Sequence, residues 1–80
     1  MQPIKGGRVT TTQDNQELIA EGDYLKKVSI HNQSEKEVNI SINGGNRIPL
    51  SEGESLSLGE LKIVSLVVIE KGSTIRFIGI

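Results

Sequence analysis

Val38, Ile40 and Ile42 alternate with Asn39, Ser41 and Asn43, and the run closes on Asn43-Gly44-Gly45-Asn46. Strict period-two alternation puts one set of side chains on each face of a half-buried strand. An Asn-Gly pair tolerates positive φ at both central positions of a tight turn, which is the backbone twist that joins two antiparallel strands. The sequence therefore predicts a hairpin here, with Ile48 and Leu50 on the return. Pro49 has no amide to donate, so the return strand belongs at a sheet edge or ends quickly.

The same pattern recurs on both sides of the hairpin. Val28 and Ile30 alternate with Lys27, Ser29 and His31 before residues 32–36 break the pattern. Ser51-Glu52-Gly53 reads as a turn, and Leu56 and Leu58 then alternate with Ser55 and Ser57 ahead of Gly59. Upstream, residues 8–12 carry Val9 and three consecutive Thr and read as a short β-prone segment, followed by a polar turn over 13–16. Residues 17–24 read as a short strand closed by Gly22-Asp23, with a single helical turn as the alternative. Residues 1–7 contain Pro3, the pair Gly6-Gly7 and Ile4 as the one apolar residue after Met1. Such a segment has nothing to pack with and reads as a flexible arm.

Composition supports strands. Of 80 residues 35% are hydrophobic, with 11 Ile, 7 Leu and 6 Val against Tyr24 and Phe77 as the whole aromatic complement. Branched aliphatics fit a pleated, half-buried surface. A chain of this length buries only about 60% of its unfolded surface and holds one thin core. The expected organisation is thus an arm over residues 1–7 and a single β domain over residues 8–80. About seven short strands at intervals of 8–12 residues indicate an all-β fold, a small antiparallel β-sandwich or jelly-roll-like barrel. The residues expected inside are Val28, Ile30, Val38, Ile40, Ile42, Leu56, Val67, Ile75 and Phe77.

The last third differs in kind. Ile63-Val64-Ser65-Leu66-Val67-Val68-Ile69 is apolar on both parities, with Ser65 the one interruption, and such a strand is covered on both faces. Past the turn Glu70-Lys71-Gly72-Ser73, Ile75 and Phe77 share one face while Arg76, Ile78 and Ile80 share the other. The cover for the second face is the arm, a ligand or a second subunit; alternatively the segment is simply the central strand of a tight barrel. The arm contributes little beyond Ile4 and Val9. Val64, Leu66, Val68, Ile78 and Ile80 together would expose several hundred Å², more than a monomer ordinarily leaves open. These five residues are the expected homo-oligomer interface.

Residue types that carry chemistry are sparse. The formal net charge is −1, which excludes a strongly basic nucleic-acid binder and gives no field toward an anionic membrane. There is no Cys, hence no disulfide, thiol nucleophile or thiolate metal site. His31 is the single imidazole and its parity sets it opposite Val28 and Ile30, on the solvent face, without partners at ligand spacing. The carboxylates fall into Asp14, Glu17, Glu21 and Asp23 in one group and Glu52, Glu54 and Glu60 in another; neither follows a calcium-loop pattern, and they read as solvated acids. Gly44-Gly45 lies between two strands, a turn and not a phosphate cradle. The sequons at Asn32 and Asn39 read as chance matches, and Lys26-Lys27 is too short for a nucleic-acid patch. Neither catalytic nor metal-binding residues nor a cofactor are expected. No apolar run approaches the roughly 20 residues that span a bilayer, and the opening residues lack the apolar stretch of a signal peptide.

From Gly44 the string GGNRIPLSEGESLSLGELKIVSLVVIEKGSTIRFIGI joins an Ile-Pro-Leu strand, a Glu-Gly-Glu turn, a Ser-Leu strand, a long apolar strand, a Gly turn and an Arg-containing strand ending in Ile. It resembles the small all-β virion accessory proteins of tailed bacteriophages, the head-decoration, head-fibre and tail accessory types. The resemblance covers residues 25–80 and is carried by Ile48, Leu50, Glu52, Gly53, Glu54, Leu56, Ile63, Ser65, Ile75, Arg76 and Ile80. It implies a non-enzymatic, homo-oligomeric module attached to a capsid or tail subunit, made in the host cytoplasm and located in the virion. It further implies that Ile4 and Lys5 of the arm, with Arg8 at the start of the β domain, dock onto the particle. Neither nucleic acid nor membrane is an expected partner. The alternative is a small phage-encoded binding module or regulator that engages a host protein or surface glycan through an exposed strand edge. No collagen-like repeat or coiled-coil stalk is present, which sets the chain apart from fibre shafts.

Overall fold

The computed structural model describes residues 5–59 and 62–80, and eight strands form among them. In chain order they are β1 (Lys5–Thr10), β2 (Gln16–Glu17), β3 (Val28–Asn32), β4 (Val38–Ile42), β5 (Ile48–Leu50), β6 (Ser55–Leu58), β7 (Leu66–Val68) and β8 (Thr74–Gly79). They assemble into two four-stranded antiparallel sheets, ordered β1-β8-β3-β6 and β2-β7-β4-β5. Each first-half strand thus pairs with its counterpart counted back from the end, β1 with β8, β2 with β7, β3 with β6 and β4 with β5. This is the pattern of a long hairpin rolled over a core, the jelly roll.

The Asn43-Gly44 turn sits at the tip of that roll. Its φ values are 52° at Asn43 and 71° at Gly44, and the Gly45 amide donates to the Ile42 carbonyl at 2.9 Å. The turn sets Val38 opposite Leu50 and Ile40 opposite Ile48. β5, with Pro49, is a sheet edge as its missing amide requires.

Between the sheets lie Leu25, Val28, Ile30, Val38, Ile40, Leu50, Ile63, Leu66, Val68, Ile75 and Phe77, with Ile19. Of the residues expected inside, Val28, Ile30, Val38, Ile40, Ile75 and Phe77 are buried, and Ile42 and Leu56 are half-buried against the core. Val67 departs from expectation. It is half-buried on the side away from the core, whereas its neighbours Leu66 and Val68 are fully buried.

The same shift corrects the expected interface: Leu66 and Val68 have no exposed surface to offer a second subunit, because the monomer's own core takes them. The expectation treated residues 63–69 as one continuous alternating strand. In the structure Ile63 forms an isolated bridge with Leu25, and β7 begins three residues later. Both ends of that three-residue step point inward, which strict alternation forbids. The step is held by side chains: Asn43 Oδ1 accepts the Val64 and Ser65 amides at 2.8 and 3.1 Å, and Glu17 Oε2 accepts the Leu66 amide at 2.7 Å. β7 is an interior strand of its sheet, between β2 and β4.

The N-terminal boundary shifts as well. Lys5, Gly6 and Gly7, read as part of an arm, pair with Gly79, Ile78 and Phe77 in β1. Residues 1–4 of the expected arm lie outside the described residues. The 17–24 segment contributes only Glu17 to a strand, and the rest is an irregular connection from β2 to β3.

Polar plugs close the end where the chain crosses between sheets. Buried Asn32 donates from Nδ2 to the Lys36, Leu50 and Ser51 carbonyls at 2.8, 3.0 and 3.1 Å, and its Oδ1 accepts the Ser34 amide at 2.9 Å. Buried Thr11 donates to the Glu70 carbonyl at 2.8 Å and accepts the Ser73 amide at 2.9 Å. These bonds satisfy backbone groups that leave one ladder before joining the other, where an unpaired group would cost about 1–3 kcal/mol.

Candidate interaction surface

The sheet β1-β8-β3-β6 turns one face to solvent, and β8 sets its character. Ile75 and Phe77 point inward, so Arg76 and Ile78 point out. Register then fixes the neighbours. Arg8 of β1 stands opposite Arg76, and Arg76 stands opposite His31 of β3. Directly opposed side chains on one face lie about 5 Å apart at Cβ. A row of two guanidinium groups and an imidazole therefore crosses three strands. His31 Nε2 also lies 3.2 Å from the Gly53 carbonyl oxygen.

Rows of uncharged residues flank this one. Toward the plugged end, the Thr10 and Thr74 hydroxyls meet at 3.1 Å. Toward the other end, Ile78 stands opposite Ser29, whose hydroxyl meets that of Ser57 at 3.1 Å. None of the four strands of this sheet contains Asp or Glu. Ile78 is 48% exposed and Ile80 42%, and between them and Leu58 runs an open groove of about 330 Å³ with Lys27 at its rim.

A second feature lies at the connections from β2 to β3 and from β6 to β7. Glu17, Glu21, Asp23, Tyr24, Lys62 and Val64 line an open cavity of about 450 Å³. The Lys62 ammonium sits 4.9 Å from the centre of the Tyr24 ring, a cation–π contact. Val64 is 48% exposed here. Glu17 is structural: besides the Leu66 amide its carboxylate accepts the Ser65 hydroxyl at 2.6 Å and the Leu18 and Ile19 amides at 3.1 and 3.3 Å.

Several other acids do similar work. Glu70 accepts the Asn39 amide and side-chain Nδ2 at 2.7 and 2.9 Å, Asp14 the Lys71 amide at 3.0 Å, and Glu54 the Ser51 amide at 2.9 Å. Among the described residues no group of three or more His, Asp or Glu is disposed to hold a metal ion.

The five residues expected to form one interface are thus divided among three places. Ile78 and Ile80 share the groove, Val64 lines the acidic cavity, and Leu66 and Val68 are in the core. Of the expected docking residues, Ile4 lies outside the described residues, Lys5 is the first residue of β1, and Arg8 stands exposed beside Arg76. Sequence reasoning placed Arg8 in one segment, His31 in another and Arg76 in a third. Parity puts Arg76 on the face of Ile78, but the row exists only through the pairing of β1, β8 and β3, which no local signal carries. Compared with protein-family models, with curated proteins and with solved structures, the chain matches none.

Proposed function

We propose that the protein is a non-enzymatic structural component of a tailed-phage virion, a homo-oligomeric β module attached to the capsid or tail. The observation that carries this reading is the pair Ile78 and Ile80, exposed side by side on the outer face of the terminal strand segment. Aliphatic side chains exposed around a groove favour a surface that meets another protein. The likeness of residues 25–80 to small phage virion proteins supplies the setting. On this reading the chain is made in the host cytoplasm and ends in the particle, and its partners are its own copies and a capsid or tail subunit.

Light scattering across a dilution series tests the reading. A discrete oligomer that resists dilution is the expected result, and its stoichiometry would indicate the symmetry axis it occupies. A monomer at every concentration would remove the homo-oligomer from the proposal.

A second reading rests on β1, a six-residue strand at the edge of its sheet. Its free backbone groups form a template for an added strand, the mode by which a small regulator would engage a host protein.

A further inference from the structure

Five asparagines occur in the chain, and Asn43 is the one followed by glycine. The distinction is chemical. The main-chain nitrogen that follows an asparagine is a nucleophile toward that residue's own side-chain carbonyl carbon, and glycine leaves the approach open where a side chain would crowd it. Asn15 and Asn32 are followed by Gln, Asn39 by Ile and Asn46 by Arg. Asn43 and Gly44 are both exposed, and the Gly44 amide makes no hydrogen bond in the turn. Nucleophile, carbonyl and water therefore meet at the tip of the roll.

The fold holds the reacting groups apart. The Asn43 side chain reaches across to the step before β7: Oδ1 accepts the Val64 and Ser65 amides at 2.8 and 3.1 Å, and Nδ2 donates to the Lys62 carbonyl at 3.0 Å. Closing a five-membered ring needs the Gly44 nitrogen nearly eclipsed with Cβ about the Cα–C bond. Positive φ at both central residues makes this a primed turn, in which the Asn43 ψ is about +30° and the two atoms are far from eclipsed. The ring also brings Cγ into line with the main-chain carbonyl carbon about Cα–Cβ, away from every staggered rotamer. The turn must open and the side chain must leave Lys62, Val64 and Ser65 before the ring can close.

We infer that Asn43 is a self-modification site gated by the fold: when the hairpin tip opens, the Gly44 nitrogen attacks Asn43 Cγ and the residue converts to aspartate and isoaspartate. The bond from the Gly44 nitrogen to Cγ forms, the Cγ–Nδ2 bond breaks, and the Gly44 amide proton leaves with Nδ2 as ammonia. Water then adds to either carbonyl of the cyclic imide and reopens it. One water enters for each ammonia lost, and nothing is oxidised or reduced. Reopening at Cγ restores the main chain with a carboxylate side chain. Reopening at the main-chain carbonyl leaves the chain running through Cβ, one atom longer in a two-residue turn. Both products lose the donor to the Lys62 carbonyl, so the change weakens the clamp on the entry to β7. It does so whether or not the chain assembles.

Purified protein kept in native buffer and in urea above its unfolding midpoint tests this, with the tryptic fragment Glu37 to Arg47 read by mass spectrometry for conversion of amide to acid. Asn43 should convert in urea while Asn39 and Asn46 of the same fragment stay as amides. In native buffer the conversion of Asn43 should be slower by on the order of tenfold or more, because the reaction waits on local opening. Glu17→Ala releases the neighbouring Leu66 amide without touching Asn43, so it should speed conversion in native buffer and leave the urea rate unchanged. Converted chain, separated by its added charge, should melt below unconverted chain. An Asn43 that stays an amide in urea is not a modification site, and the inference falls. A native rate equal to or faster than the urea rate overturns the gating, as does a Glu17→Ala rate equal to wild type in native buffer. Converted chain that melts with the unconverted chain overturns the loss of the clamp.

Discussion

Glu17 Oε2 accepts the Leu66 amide at 2.7 Å, across 49 positions of sequence, at the point where the chain enters β7. The same carboxylate takes the Ser65 hydroxyl and the Leu18 and Ile19 amides. Glu17 therefore fixes both the two-residue strand β2 and the inward turn of Leu66. Glu17→Ala should cost about 1–2 kcal/mol, the net worth of hydrogen bonds to a charged group whose donors can partly return to water. Urea unfolding checks this: the midpoint should fall with an unchanged slope. An unshifted midpoint would mean that backbone pairing alone holds β7.

This contact also shows where the sequence stopped being legible. Strand identity followed from alternation, and the hairpin at Asn43-Gly44 followed from turn chemistry, because both signals lie within a dozen residues. The orientation of Leu66 and Val68 did not follow. A doubly apolar segment carries no alternation to read, so its parity is set by the Glu17 and Asn43 side chains that seize its amides from distant positions. The cationic row was illegible for the same reason: Arg8, His31 and Arg76 become neighbours only through long-range pairing.

Asn32 is fully buried and spends its whole side chain on backbone groups of two segments, Ser34 and Lys36 in one and Leu50 and Ser51 in the other. Asn32→Ala should cost about 3 kcal/mol by stranding those carbonyls and the Ser34 amide. For a domain of this size that lowers the melting temperature by on the order of 15 °C. Asn32→Asp should be worse, because a second oxygen replaces the amino group that faces three carbonyl oxygens. Thermal melts of the two variants order them; an Asp variant as stable as wild type would contradict the hydrogen-bond assignment. The burial of Asn32 also explains why its sequon offers no accessible acceptor.

Gly6-Gly7 suggested flexibility in the sequence, yet Gly6 is required for close approach. Its φ is +148°, and a Cβ built there would lie 2.0 Å from the Phe77 carbonyl oxygen. Gly6→Ala should detach the start of β1 from β8 while the rest of the strand stays paired. Cross-strand nuclear Overhauser contacts between residues 6 and 78 should vanish, and those between Val9 and Ile75 should persist. Retained contacts at 6 and 78 would show that the backbone absorbs the added methyl.

Leu66 and Ile78 separate the core from the candidate interface. Leu66 is fully buried, so Leu66→Asp places an unpaired charge among Ile and Val side chains at a cost comparable with the roughly 4–12 kcal/mol that hold an 80-residue domain together. That variant should be unfolded at room temperature. Ile78 is half exposed on the solvent face, and Ile78→Asp should leave unfolding within about 0.5 kcal/mol of wild type. Its effect should appear instead in self-association, as a fall in mass by light scattering at concentrations where the wild type assembles. Circular dichroism melts and light scattering on the two variants read these effects separately. A native melt for Leu66→Asp would overturn the inward orientation of β7, and a melt for Ile78→Asp as low as that of Leu66→Asp would make Ile78 a pillar of the fold and not a contact residue.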